Sequence, residues 1–207
     1  MLTIHAADAV LGAPDGADSV AVDGGVVVAV GPWGDVSAAF PTARVRRWPG
    51  LVARGLVNVT ARELLEETYH PDPREADALG TRPLSGEAVT ALAMDDARWG
   101  ASARRGLQRM LRHGTTAVAG AFTRPGVRTA VTRSGLRLLP PPAGDAPPPA
   151  SLDPLAGTAR PAGPPPGAGD PADLAVFDVR DAGELAARGA GSCVATVLGG
   201  RLLFRAS

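Results

Sequence analysis

The chain has 207 residues, 45% of them apolar, enough for one domain or two small ones with an ordinary core. Its positive charge is all arginine, with no lysine, and 21 basic residues balance 21 acidic ones, which removes the electrostatic case for nucleic acid, since that needs a basic face to neutralise phosphates. The one cysteine, Cys193, has no intramolecular partner and sits in the apolar run CVATVL, so a buried thiol and a reducing compartment are expected. The opening MLTIHAADAVL has no basic signal-type start, and nowhere do 18 apolar residues follow one another, so no membrane contact and a cytoplasmic location are expected.

In chain order, β-like runs cover Leu2 to His5, Asp8 to Leu11, Ser19 to Val22 and Val26 to Val30. Asp23-Gly24-Gly25 between two β-branched runs predicts a hairpin, because glycine reaches positive φ without a steric penalty. A short helix, Asp35 to Phe40, is closed by Pro41, and Arg44 to Trp48 reads again as a strand. The first fifty residues thus read as a small antiparallel sheet. Next, PGLVARGLVNVTARELLEE passes from a strand, Leu56 to Val59, through a polar turn into a helix, Ala61 to Thr68. That is the opening of a βα unit, and the carboxyl end of its strand is where such folds place chemistry. Tyr69 to Ser85 is charged and aperiodic and predicts an exposed connection. Glu87 to Arg112 is helical with a break near Asp95-Asp96 or Gly100, closed by His113-Gly114. A strand (Thr115 to Ala119), a proline-opened helix (Pro125 to Arg133) and a strand (Leu136 to Leu139) complete a β-α-β-α-β order that implies parallel pairing.

From 140 to 171 twelve of 32 residues are proline and periodicity vanishes, so a tether is expected. The ending predicts a strand (Asp173 to Asp178), a helix (Ala182 to Arg188) and a hairpin of Cys193 to Leu198 with Arg201 to Arg205 about Gly199-Gly200.

Three phrases in this order, GLVN, LRHGTTAVAG and the ADL strand with its VLGGR hairpin, resemble the amidohydrolase superfamily in its imidazolonepropionase-like and cytosine-deaminase-like branches. The resemblance implies a truncated, degenerate member. The expected fold is α/β with an all-β part: a composite β-sandwich from residues 1–53 and 172–207, plus a remnant of a (β/α) barrel over 54–139, with 140–171 as linker. A complete barrel takes roughly 250 residues and eight strands, more than this segment can supply. In the family GLVN runs into His-x-His, which holds zinc, iron or manganese; here the matching positions are Thr60 and Arg62, and an arginine would repel a cation. No cofactor is therefore predicted.

Of the three histidines, His5 falls in the N-terminal sheet and His113 at a helix end, both structural readings. His70 follows Glu67 and precedes Asp72 on the connection after the first βα strand. Glu67, His70 and Asp72 read either as a polar pocket or as a solvated loop. Asp95-Asp96 reads as a helix cap, and Cys193, without a neighbouring base, is not a nucleophile. Two functions follow. One is a non-catalytic pseudoenzyme that binds or scaffolds a protein partner. The other is a hydrolase or deaminase of non-peptide carbon–nitrogen bonds with a rebuilt site near His70. The open edges of an unfinished barrel predict a homo-oligomer.

Overall fold

The computed structural model describes residues 1–142, 149–156 and 163–206. Strands β1 (Leu2–Ala6), β2 (Ala9–Val10), β3 (Ser19–Asp23) and β4 (Val26–Gly31) precede helix α1 (Trp33–Ala39), followed by β5 (Arg44–Arg47), β6 (Leu51–Arg54) and β7 (Leu56–Asn58). The Asp23-Gly24-Gly25 turn joins β3 to β4 as an antiparallel pair, with Gly24 at φ +56° where a side chain would be strained. The middle of the chain holds α2 (Ala61–Glu66), β8 (Thr68–Tyr69), α3 (Ala76–Leu79), β9 (Leu84–Ser85), α4 (Glu87–Thr90), α5 (Asp96–Leu111), β10 (Thr115–Ala119), α6 (Pro125–Ser134) and β11 (Arg137–Leu139). It closes with β12 (Leu174–Phe177), α7 (Ala182–Arg188), β13 (Cys193–Leu198) and β14 (Arg201–Arg205).

These strands form sheets of four (β4-β3-β1-β5), five (β14-β13-β12-β6-β2), three (β11-β10-β7) and two strands (β8-β9). The fold is thus mixed α/β with several sheets, and among the described residues none closes into a barrel. Two compact units result: Met1–Leu56 with Leu111–Thr116 and Leu155–Ser207, and Val57–Met110 with Ala117–Pro154.

The first unit is organised by β12, whose residues are all buried. It pairs antiparallel with β13 on one side and with β6 on the other, so one sheet is drawn from both ends of the chain. Val52, Leu174, Val176, Ala195 and Val197 of that sheet share a core with Val20, Val22 and Val27 of the four-stranded sheet. Alternation along β-branched strands supplies this apolar layer, at about 25 cal/mol per Å² of apolar area buried. In the second unit β10 and β11 pair in parallel, Ala117 opposite Arg137, with α6 as the crossover, as the β-α-β order predicts.

Four sequence expectations change. The first fifty residues do not form a purely antiparallel sheet: α1 returns the chain so that β5 runs parallel to β1, and β2 leaves for the other sheet, parallel to β6. Helix α2 ends at Glu66, because the chain turns at Glu67 into β8. Tyr69 to Ser85 is not an open connection but contains β8, a 3-10 turn at Pro73–Glu75, α3 and β9, with Tyr69 and His70 buried. Lastly, the described parts of the expected tether are anchored. Leu155 is buried against Leu51, Leu56 and Phe177. Arg54 donates to the Pro164 and Pro165 carbonyls and pairs with Asp170 at 2.5 Å. The rest of that stretch, 143–148 and 157–162, lies outside the described residues.

Candidate functional site

At the carboxyl end of β7 the geometry is settled by hydrogen bonds. Thr60 is buried; its N–H donates to Asn58 Oδ1 at 3.0 Å and its hydroxyl accepts from the Ser151 N–H at 3.2 Å. Asn58 Nδ2 donates to the Ser151 carbonyl at 2.9 Å. Arg62 points outward and pairs with Glu67 at 2.9 Å and Glu63 at 3.3 Å. A hydroxyl engaged in this way and a guanidinium are not donors for a divalent cation, so these two positions do not fit the metal that the family resemblance implies.

Glu67, His70 and Asp72 do not converge. Glu67 is exposed beside Arg62. His70 is fully buried, and its Nε2–H donates to the Leu64 carbonyl at 2.9 Å, a contact that requires the proton on Nε2. Its backbone N–H donates to Ser102 Oγ at 2.9 Å and its carbonyl accepts from Arg105 Nε at 2.7 Å. Burial, helped by the charges of Arg109 and Arg105 and opposed by the Leu64 contact, lowers the imidazole from 6.5 to about 4. Asp72 Oδ1 caps the 3-10 turn through the Arg74 N–H, and Oδ2 faces Arg105 at 3.3 Å. Tyr69 OH donates to Glu75, which also pairs with Arg98 at 2.8 Å, and the Arg98 and Arg105 guanidiniums lie 5.0 and 5.6 Å from the Tyr69 ring centroid. This cluster fastens the 69–75 segment to α5. The signal for it was present in the sequence: Arg98, Ser102, Arg105 and Arg109 recur at helical spacing and form one polar stripe of α5. Asp95 is a helix cap as expected, accepting from the Arg98 N–H at 2.7 Å. Among the described residues, no group of three His, Cys, Asp or Glu is placed to hold a metal ion.

One concave feature of this unit lies beside Glu67. A cleft of about 430 Å³ is lined by Glu66 and Glu67 at the end of α2, Val89 and Thr90 of α4, Met94, Trp99 of α5, and Arg124. Glu66 is buried, and its carboxylate accepts from the N–H groups of Thr123 and Arg124, at 2.6 and 2.7 Å, and from the Thr123 hydroxyl at 3.1 Å. That fixes the turn between β10 and α6. Arg124 Nε donates to the Glu66 carbonyl at 3.2 Å, and its guanidinium lies 4.3 Å from the Trp99 ring centroid. Sequence reasoning missed Glu66 and Arg124, which are far apart in the chain and belong to no motif, and assigned Trp99 only to a helix face.

His5 lies elsewhere, in β1. Its Nδ1 accepts from Trp48 Nε1 at 3.1 Å, and burial, with Arg46 adding, lowers it to about 4. Cys193 is a buried free thiol whose pKa is raised, chiefly by burial. No helix among the described residues is long and apolar enough to cross a membrane.

Among curated proteins no sequence matches the chain. Part of the chain is similar to parts of several solved structures. Ochratoxinase of A. niger is 16% identical, with a TM-score of 0.47, over 67% of this chain and 31% of that one. An adenosine deaminase from Xanthomonas campestris is 21% identical (TM-score 0.41; 66% and 33%), and the Helicobacter pylori aminofutalosine deaminase 14% (0.42; 68% and 33%). The chain spans about a third of the length of these structures. A family model, the imidazolonepropionase-like composite domain of bacteria, matches residues 20–43, which comprise the β3–β4 hairpin, α1 and the approach to β5. That model agrees with the imidazolonepropionase-like branch named from the sequence, and it matches over residues 20–43, whereas the three phrases that carried the resemblance lie later in the chain.

Proposed function

We propose that this chain is a non-catalytic, amidohydrolase-like protein that binds or scaffolds a partner, with a composite β-sandwich from its two ends joined to a segment of a (β/α) barrel. The observation that carries the reading is the carboxyl end of β7. There Thr60 is held by Asn58 and Ser151, and Arg62 by Glu63 and Glu67. Water activation of the superfamily kind needs an ion that these side chains do not recruit. Elemental analysis of untagged protein purified without chelator, paired with a turnover screen on amides, cyclic ureas and aminated heterocycles, tests it. The expected result is neither stoichiometric metal nor turnover. Stoichiometric zinc, iron or manganese with hydrolysis abolished by His70→Ala would put a hydrolase or deaminase rebuilt at Glu67, His70 and Asp72 in its place.

The same proposal includes a homo-oligomer in the cytoplasm. Its support is the edge at β11, which ends the three-stranded sheet with Leu138 at 56% exposure. Light scattering at micromolar concentration is expected to return a multiple of the chain mass, and a strictly monomeric particle would count against it.

A further inference from the structure

We infer that the open edge of β5, flanked by Arg44, Arg46, Arg47 and Arg205, docks an extended acidic segment of a partner protein as an added strand. The inference rests on the reading of the chain as a partner-binding protein and supplies the surface and the chemistry of the partner.

The four-stranded sheet has two edges, and they differ. At β4 the Val27 N–H donates to the Asp170 carbonyl and the Val27 carbonyl accepts from the Gly169 N–H, both at 2.9 Å, so the chain covers that edge itself. β5 ends the sheet on the other side with no such cover among the described residues. Just past it, the Trp48 N–H donates to the Ala6 carbonyl at 2.9 Å. Backbone groups alternate along a strand, so those of Arg46 also face β1, while the N–H and C=O groups of Val45 and Arg47 turn outward. An extended chain satisfies them by continuing the ladder.

The side chains define what that chain carries. Arg44 and Arg46 share the sheet face of their partners Thr3 and His5. Arg205 of β14 lies close by, with its guanidinium 5.7 Å from the Trp48 ring centroid. Burial, with the charges of Arg44 and Arg205 adding, lowers Arg46 below the ordinary arginine range. Arg47, on the opposite face, lies 4.4 Å from the Trp33 ring centroid. None of these four arginines forms an ion pair among the described residues. Cations gathered without a counter-ion repel one another, and carboxylates relieve that repulsion. The face shared with Arg47 presents Val45, which is 43% exposed. The matching segment therefore alternates acidic and apolar residues, with its acids toward Arg44, Arg46 and Arg205. A nucleic acid offers the charge but not the amide ladder, and so fits less of the site.

The test titrates the full chain with a short peptide of alternating valine and glutamate, followed by nitrogen–proton NMR. Comparison probes are the alternating valine–glutamine peptide, the valine–glutamate peptide N-methylated throughout, and an oligothymidylate. The acidic peptide is expected to shift the Val45 and Arg47 amides and slow their exchange with water. It should bind at least about tenfold more tightly than the glutamine and N-methylated peptides, the sum of a few exposed ion pairs in the first case, and weaken as salt rises. Arg44→Gln combined with Arg46→Gln should remove the preference for glutamate and, by relieving repulsion, hold or raise the thermal midpoint, which damage to the fold would lower. Equal binding of the glutamine peptide, binding that survives N-methylation, an unaffected double variant, tighter binding of the oligothymidylate, or no shift at about 1 mM peptide would each overturn the inference. Protection of Val45 and Arg47 that grows with protein concentration alone would assign the edge to a second copy and overturn it as well. Turnover of a carbon–nitrogen bond would overturn the non-catalytic reading while leaving the docking edge standing, so the two failures are distinguishable.

Discussion

Gly106 shows how tightly the second unit is fitted around His70. A Cβ built there would lie 2.7 Å from both His70 Nε2 and Leu65 Cδ2. Gly106→Ala is therefore expected to cost about 1–3 kcal/mol by overpacking, in spite of alanine's better helix propensity, read as a lowered denaturation midpoint. The two buried histidines give a second expectation. His5 and His70 both titrate near 4 when folded, against 6.5 for the free side chain, so the unfolded chain binds more protons between those values. Stability is then complete above about pH 6.5 and falls as the pH drops toward 4, by up to about 3 kcal/mol for each histidine. Glu75, held low first by the Tyr69 hydrogen bond, loses its contribution only below its ordinary 4.5, so the histidines govern the upper window. Urea midpoints across pH 4 to 7 check this, and a flat profile would mean that neither ring is buried neutral.

The 69–75 segment illustrates how far local sequence reaches. Its composition reads as solvated, and it is ordered by partners on a helix that begins more than twenty residues later: Arg98, Ser102 and Arg105 of α5. Polarity alone does not reveal which charges meet, so the readable clue was the helical repeat of those partners. Tyr69→Phe removes the hydroxyl that donates to Glu75 and accepts from Arg98, and is expected to cost about 1–2 kcal/mol. Hydrogen exchange should locate the effect, with amides of β8, α3 and the 3-10 turn losing protection while those of β3 and β12 keep theirs. Elsewhere the elements were legible where punctuation and period agree: the β3–β4 hairpin from Asp23-Gly24-Gly25, α6 from Pro125, the β13–β14 hairpin from Gly199-Gly200. Direction and partner were not legible. The parallel placement of β5 depends on the path through α1, and the anchoring of Leu155 and Pro164 on cores and arginines that composition does not encode.

At the scale of the whole chain, the joining of its two ends was implied by the resemblance of the ADL strand and VLGGR hairpin to a family phrase, and not by composition or period. The cleft was not legible. Its wall joins Glu66, Met94, Trp99 and Arg124 from four separate segments, and no spacing rule connects them. The five-stranded sheet also bears on how the protein is made. β6 pairs with β2 within the first 54 residues, but its second edge is filled only when β12 arrives, Leu51 opposite Phe177, so nearly the whole chain must be synthesised before the sheet of the first unit is complete. Until then the apolar β6 keeps one edge unpaired. A topology that postpones its central pairing folds slowly, and the nascent chain is therefore a natural client for chaperones that shield hydrophobic strands during translation.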